Sequence, residues 1–414
     1  MQRLSRSLVG LFAVPVLALG IAACGDDDSG ESGGDDGTIT FGASVSLTGD
    51  LAAEAKTSKD GYDFMVDEIN AQGGIPVGDE NYQVEIKYYD DKSDADTAVK
   101  LYDKLITQDD VDFLLGPYSS GVTEAVAPVA ERNDLPMVVA HAASTSVYSH
   151  GYEYLFGTLT PVEFYGKTIL EAAQTAKEPP QTLALIHENA LFPTEGIEAT
   201  AEAAEELGME VVYQAKYPTG TPDMSSLISA AQAEDPDMLI AAGYSGDMIQ
   251  LVRQAKEARF APAELGFLLG PTVPGFIDDL GSDADFTLEP VQWTPDQPST
   301  DEIFGWTASE YAEKFEAAKG YLPDYHPPQS SAALEVYYDA LGRAGSLDPT
   351  AVRDAIAETD LESFYGQIQF NENGQNDAKG MEAIQVQDGK PVVIFPEESA
   401  DGELIAPMPD WESR

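Results

Sequence analysis

One cysteine, Cys24, stands in 414 residues. No intrachain disulfide can form, so stability must come from packing. Basic residues are few: 22 Lys and Arg against 73 Asp and Glu, a net charge of −51. Such a surface repels nucleic acid and anionic lipid, which excludes both as partners. The four histidines, at 141, 150, 187 and 326, show no metal-ligand spacing and read as loop or surface residues. Enzyme signatures are missing too. Gly166-Lys167-Thr168 looks like the end of a phosphate loop, but Pro161 occupies the place of that loop's first glycine. In Gly243-Tyr-Ser-Gly246 the second glycine comes too early for a nucleophile elbow. The apolar run Leu8 to Ala23 falls short of the roughly 20 residues a membrane span needs, and no later run approaches that length.

What is present begins with the surroundings of the lone cysteine. Arg3 and Arg6 precede the apolar run, and Ile21-Ala22-Ala23-Cys24 ends it. A basic start, a short apolar stretch and small residues make a secretory signal. A cysteine directly after them reads as a lipobox, whose thiol accepts a diacylglycerol. Residues 1–24 are therefore expected to be signal and lipidation site. Residues 25–37, GDDDSGESGGDDG, cannot bury apolar area and read as a solvated acidic tether. They lack the ligand spacing and closing Glu of a calcium loop. The expected location is the outer face of the cytoplasmic membrane. The remaining body of about 375 residues suggests two domains. Its acid is spread evenly, which suits a protein bathed in external salt.

The body alternates strands with helices. Thr38 to Val45 reads as a strand, Gly61 to Ala71 as a helix stopped by Gly73-Gly74, and Tyr82 to Tyr89 as an alternating strand. Asp94 or Asp96 caps the next helix. The strands at 111–115 and 137–140 flank a helix from Val122 to Arg132. A second series follows: strands at 182–187, 210–213, 238–242 and 267–269, with helices at 196–207, 224–233 and 247–258. Two late helices, at 306–318 and 330–344, and two late strands, at 366–370 and 383–387, look like returns. This order predicts an α/β fold with two doubly wound, mostly parallel sheets.

In open α/β sheets, ligands bind beyond the carboxyl ends of strands. Three small-polar clusters fall there: Ala43 to Gly49, Gly116 to Thr123, and His141 to Ser146. The second also precedes a helix, whose free N–H groups suit a carboxylate. The bland alternative is that these residues only form turns and caps. Three clusters on successive strand ends favour one shared crevice.

The same residues give the chain a strong resemblance to type I periplasmic binding proteins, in their branched-chain amino acid branch. The features occur in order: Ser46-Leu-Thr-Gly49, Glu68-Ile-Asn-Ala-Gln-Gly-Gly-Ile75, Asp90-Asp91, Gly116-Pro-Tyr-Ser-Ser-Gly121 and Ala142-Ala143-Ser144. Gln292-Trp-Thr-Pro295, Tyr365-Gly-Gln-Ile-Gln-Phe370 and Gly389-Lys-Pro-Val392 follow, so the match spans 38 to 396. The resemblance implies two lobes joined by three crossovers: 38–158 plus 293–362, and 159–292 plus 363–396, with 397–414 as a C-terminal tail. It implies that Ser120 holds a ligand carboxylate, with Ser144 or the backbone of Ala142 and Ala143 substituting at the family's second hydroxyl position, and that Ser119 also contacts the ligand. Phe192 and Tyr244 would pack on the ligand from the second lobe. The family's ammonium-binding acid falls at Thr272, which cannot serve, so either Glu54 replaces it or the ligand has no ammonium.

Two functions follow from the resemblance. The first is an ABC importer's substrate-binding protein, which carries an amino acid, amide or carboxylate to permease subunits served by cytoplasmic ATPases. The alternative is a sensing receptor for a signalling partner. Neither requires a cofactor or catalysis, and a monomer is expected.

Overall fold

A computed structural model describes residues 37–414. The lipobox, Cys24 and nearly all of the acidic tether lie outside the described residues. Two sheets organise the body. The first contains β1 (Thr38–Val45), β2 (Ile75–Val77), β3 (Glu80–Asp90), β4 (Phe113–Leu115), β5 (Met137–Val139) and β6 (Leu155–Gly157). Its order is β2-β3-β1-β4-β5-β6, with all pairs parallel except the edge pair β2–β3. The second contains β7 (Thr182–Glu188), β8 (Glu210–Tyr217), β9 (Met238–Ala242), β10 (Glu264–Phe267) and β11 (Thr287–Val291), all parallel. A small separate pair, β12 (Asp360–Ser363) and β13 (Gly366–Gln369), precedes two antiparallel strands that join the second sheet, β14 (Glu382–Gln387) and β15 (Lys390–Phe395).

The central strands are apolar on both faces because helices cover both sides. On the first sheet these are α1 (Ala52–Ala71), α2 (Ala95–Thr107) and α3 (Ser120–Arg132). On the second they are α4 (Glu163–Ala173), α5 (Leu191–Glu206), α6 (Ser225–Ala233), α7 (Ser245–Glu257) and the short α8 (Phe276–Leu280). The chain then returns to the first lobe with α9 (Ala308–Lys319), α10 (His326–Ala344) and α11 (Pro349–Ala357). Asp94 is the cap of α2, accepting from the Thr97 N–H at 2.8 Å.

Two glycines set helix spacing. At Gly61 an added Cβ would collide with the backbone of Pro327, so α1 and α10 touch there through main chain. At Gly166 it would collide with the Thr200 side chain, where α4 crosses α5. The glycine that mimicked a phosphate loop is therefore a helix-packing residue. The segment after β15 is docked on the second lobe. Trp411 is buried and donates its indole N–H to the Phe260 carbonyl at 2.8 Å, and the Met408 N–H bonds to the Ala263 carbonyl at 2.8 Å.

Candidate functional site

The carboxyl ends of both sheets face each other across a cleft, and a narrow cavity, about 290 Å³ counting the solvent open to it, lies between them. The first lobe contributes Tyr118, Ser119, Ser120, His141 and Ala143. The second contributes Tyr165, Phe192, Tyr244 and Leu269, while Leu159 and Tyr325 complete the wall. Five of these eleven side chains are tyrosine or phenylalanine rings, and with the serines and His141 they give a chamber whose surface is about as polar as apolar.

Its most polar wall is the start of α3. Ser119 caps the helix, accepting from the Val122 N–H at 3.4 Å, with its backbone at φ +79°. A serine in this left-handed region costs on the order of 1 kcal/mol, a cost that concentrates at ligand sites. The next N–H groups, of Ser120 and Gly121, have no intrahelical acceptor and point out of the helix end. The Ser120 hydroxyl accepts from the Ser144 N–H at 3.1 Å and keeps its own proton to donate. The Ser144 hydroxyl is buried without a hydrogen-bond partner. Free amides, a positive helix end and unused hydroxyls are groups whose chemistry suits an anionic oxygen.

Of the sequence-derived site residues, Ser119, Ser120, Ala143, Phe192 and Tyr244 line this cavity. Phe192 packs edge-on against Tyr165, with ring centroids 5.4 Å apart. Ala142 faces the core behind, and its carbonyl accepts from the Tyr148 hydroxyl at 2.9 Å. Thr272 lies in the turn after Leu269. The N–H groups of Gly270 and Thr272 both donate to Glu289, at 2.9 and 2.7 Å. Glu289 is buried, and desolvation pushes it up to about 7 although the two N–H bonds oppose that. Its carboxylate is engaged by the turn and does not replace the acid missing at Thr272. Glu54 is fully buried on α1 and reaches the other lobe, where its Oε1 accepts from the N–H and hydroxyl of Ser245 at 3.0 and 2.6 Å.

Two expectations are corrected. The cluster Ala43 to Gly49 does not join the cavity lining, because its hydroxyls tie β1 to β3. Ser44 and Ser46 donate to Asp91 at 2.7 and 2.6 Å, and Thr48 donates to Asp90 at 2.9 Å. The histidines are mostly not surface residues: His141, His187 and His326 are buried, and only His150 is exposed, paired with Glu124 at 2.7 Å. His141 lines the cavity and shares a 2.8 Å bond with Ser330. Burial, and His326 beside it, hold His141 well below the usual imidazole range, so it is neutral at pH 7. His326 opens α10, bonded to Asp324 at 2.8 Å and to the Tyr118 hydroxyl at 3.3 Å. Sequence reasoning missed Tyr118, His141, Tyr165 and Tyr325 as wall residues. Tyr118 and His141 sat inside clusters read only for their hydroxyls, and Tyr325 carried no local signal.

The sequence profile described as periplasmic binding protein matches residues 38–391. The chain belongs to the periplasmic binding protein family. Among curated relatives, the Leu/Ile/Val-binding protein homolog 7 of Brucella melitensis biotype 1 is 26% identical over 388 residues, covering 89% of this chain and 94% of its own. Two solved structures share the fold. A leucine binding protein from Thermotoga maritima superposes with a TM-score of 0.77 at 22% identity, covering 87% of this chain and 100% of its own. A solute binding protein of an ABC transporter from R. palustris, in complex with benzoate, gives 0.74 at 18% identity, covering 89% and 100%.

Proposed function

We propose that this protein is an extracytoplasmic substrate-binding protein of an ABC importer, tethered by lipid on Cys24. It traps a small carboxylate-bearing solute between its lobes and delivers it to permease subunits, whose cytoplasmic ATPases drive transport. The proposed lobes are 38–158 plus 293–362 and 159–292 plus 363–396. The observation that carries the reading is the interlobe cavity with the amino end of α3 in its wall. Names among the relatives agree in kind, since one solved neighbour is a leucine binding protein and another holds benzoate.

Ser119 and Ser120 hold the carboxylate with the free amides of α3, and Ser144 assists. Phe192 and Tyr244 close on the solute from the second lobe, beside Tyr118, Tyr165 and Tyr325. The wall's rings and neutral His141 set the shape without adding charge. Work is done by differential affinity for open and closed lobes, with no covalent step.

A thermal-shift screen tests this reading. The panel holds aliphatic and aromatic amino acids, their amides and amine-free carboxylates, in low and high salt. A ligand that binds only the folded protein raises Tm by mass action. A shift with at least one carboxylate is expected. No shift across the panel contradicts the assignment.

A further inference from the structure

Outside the ligand cavity, two buried carboxyl groups face each other. Glu335, on α10, is 0% exposed, and Asp301, in the loop between β11 and α9, is 2% exposed. Their side chains hydrogen-bond to one another. An ionised carboxylate only accepts, so one of the two must carry a proton and donate it.

The surroundings decide which. Asp301 is engaged as an acceptor: its Oδ1 takes the Ile303 N–H at 2.7 Å and its Oδ2 the Phe304 N–H at 2.6 Å. Backbone donors of this kind favour the charged form. Glu335 receives one donor, the Ser363 hydroxyl on its Oε2, and its Oε1 receives none. Protonation turns Glu335 into a donor toward Asp301 and leaves the Ser363 bond in place. Burial first, then Asp301, raise Glu335 well above the ordinary carboxylate range. Tyr311 of α9 faces Glu335 as a neutral phenol, bonded to Ser331 at 2.9 Å. The nearby elements spend their cations elsewhere: Lys314 of α9 pairs with Glu68 of α1 at 4.0 Å, Arg343 of α10 with Asp339 at 2.6 Å, and Arg353 of α11 with Glu153 at 2.6 Å. On β12, Asp360 accepts from Gln367 at 2.7 Å, and Glu362 is raised by burial and then by Glu302, with Lys379 opposing.

The pair stands at one end of a buried chain of hydrogen bonds. Ser363 accepts from the Tyr365 N–H at 3.0 Å, and the Tyr365 hydroxyl donates to Gln292 Oε1 at 2.9 Å. The Gln292 amide donates to the Tyr165 hydroxyl at 3.0 Å, and Tyr165 lines the ligand cavity. The bonds run from the acid pair, through the proposed crossovers at 362–363 and 292–293, to the wall of the cleft.

We propose that Glu335 is a positioning residue for solute binding: its carboxyl holds a proton at neutral pH, donates it to Asp301, and fixes the second crossover in the geometry that lets the lobes close. This rests on the binding-protein reading above and its lobe boundaries. The folded protein keeps this proton while the unfolded chain releases it in the ordinary carboxylate range. The contribution to stability is therefore full below that range and lost as pH rises through the folded value. Above it, two buried anions repel, the crossover loses its anchor and affinity falls.

Infrared spectra, amide exchange and calorimetric titration test this on two variants. Glu335→Gln still donates to Asp301 and accepts from Ser363 but has no titrating proton; Glu335→Leu does neither. At neutral pH the wild type shows a protonated-carboxyl stretch that Glu335→Gln lacks. Without ligand, exchange of the Ile303, Phe304 and Tyr365 amides accelerates toward alkaline pH beyond the intrinsic rise in the wild type, follows that rise alone in Glu335→Gln, and is fast throughout in Glu335→Leu. L-leucine and benzoate serve as binding probes, and comparison with Glu335→Gln cancels any titration of the probe itself. From neutral to alkaline pH, Kd weakens by about fivefold or more in the wild type and by less than about twofold in Glu335→Gln. An unchanged carboxyl stretch in Glu335→Gln overturns the proposal, as do equal pH slopes of Kd in the wild type and Glu335→Gln. Binding of neither probe, with the stretch lost as expected, would instead remove the function on which it rests.

Discussion

Ser120 accepts from the Ser144 N–H while its own proton stays free for a second acceptor. Removing that hydroxyl strands the Ser144 amide and deletes one donor to a buried anion. Ser120→Ala should therefore weaken carboxylate binding by about 1–3 kcal/mol, read as the change in Kd by calorimetry; an unchanged Kd would place the anion elsewhere. Glu289 makes a pH prediction. Its folded value is about 7 against an ordinary 4.5, so the folded form retains a proton that the unfolded chain releases in between. Its contribution is full below pH 4.5 and lost as pH rises to 7. Glu264, also raised to about 7 by burial, acts in the same direction. Glu289→Gln should therefore flatten the fall of Tm between pH 5 and 7 without abolishing it. A slope equal to the wild type's would show that Glu289 does not titrate there.

At the scale of elements, much was legible because alternation of apolar strands and amphipathic helices is a local signal. The strand Thr38–Val45 was read as it stands, and of the two caps the sequence left open, Asp94 and Asp96, Asp94 serves. The strand Leu155–Gly157 is only three residues long, and in Thr287–Val291 Glu289 and Pro290 interrupt the apolar run that marks a buried strand. The helix Glu163–Ala173 was hidden behind its false phosphate-loop glycine. Its true role yields a prediction. Gly166→Ala must push α4 from Thr200, an overpacking that costs about 1–3 kcal/mol, and chemical denaturation should show it. An unchanged midpoint would mean the helices separate freely. The site was half legible for a related reason. Hydroxyls at strand ends announce themselves in sequence, but Tyr325 meets the cavity only through tertiary packing, and the buried histidines needed partners distant in sequence.

For the molecule as a whole, charge and closure dominate. A net charge of −51 opposes compaction through self-repulsion. Raising salt from 0.1 to 1 M shortens the screening length from about 10 Å to about 3 Å, so Tm should rise; a constant or falling Tm would show the acid to be locally compensated. The lobes meet through carboxylates that accept from hydroxyls across the cleft. Thr145 donates to Glu163 at 2.8 Å, Ser146 to Glu195, and Ser245 to Glu54 at 2.6 Å. Such contacts are modest singly, which suits a hinge that must reopen. The most direct test of the account is a calorimetric titration with whichever carboxylate shifts Tm most, followed by chemical recovery of the ligand. The account predicts one site per chain and ligand recovered unchanged. Absence of saturable binding, or conversion of the ligand, would contradict it.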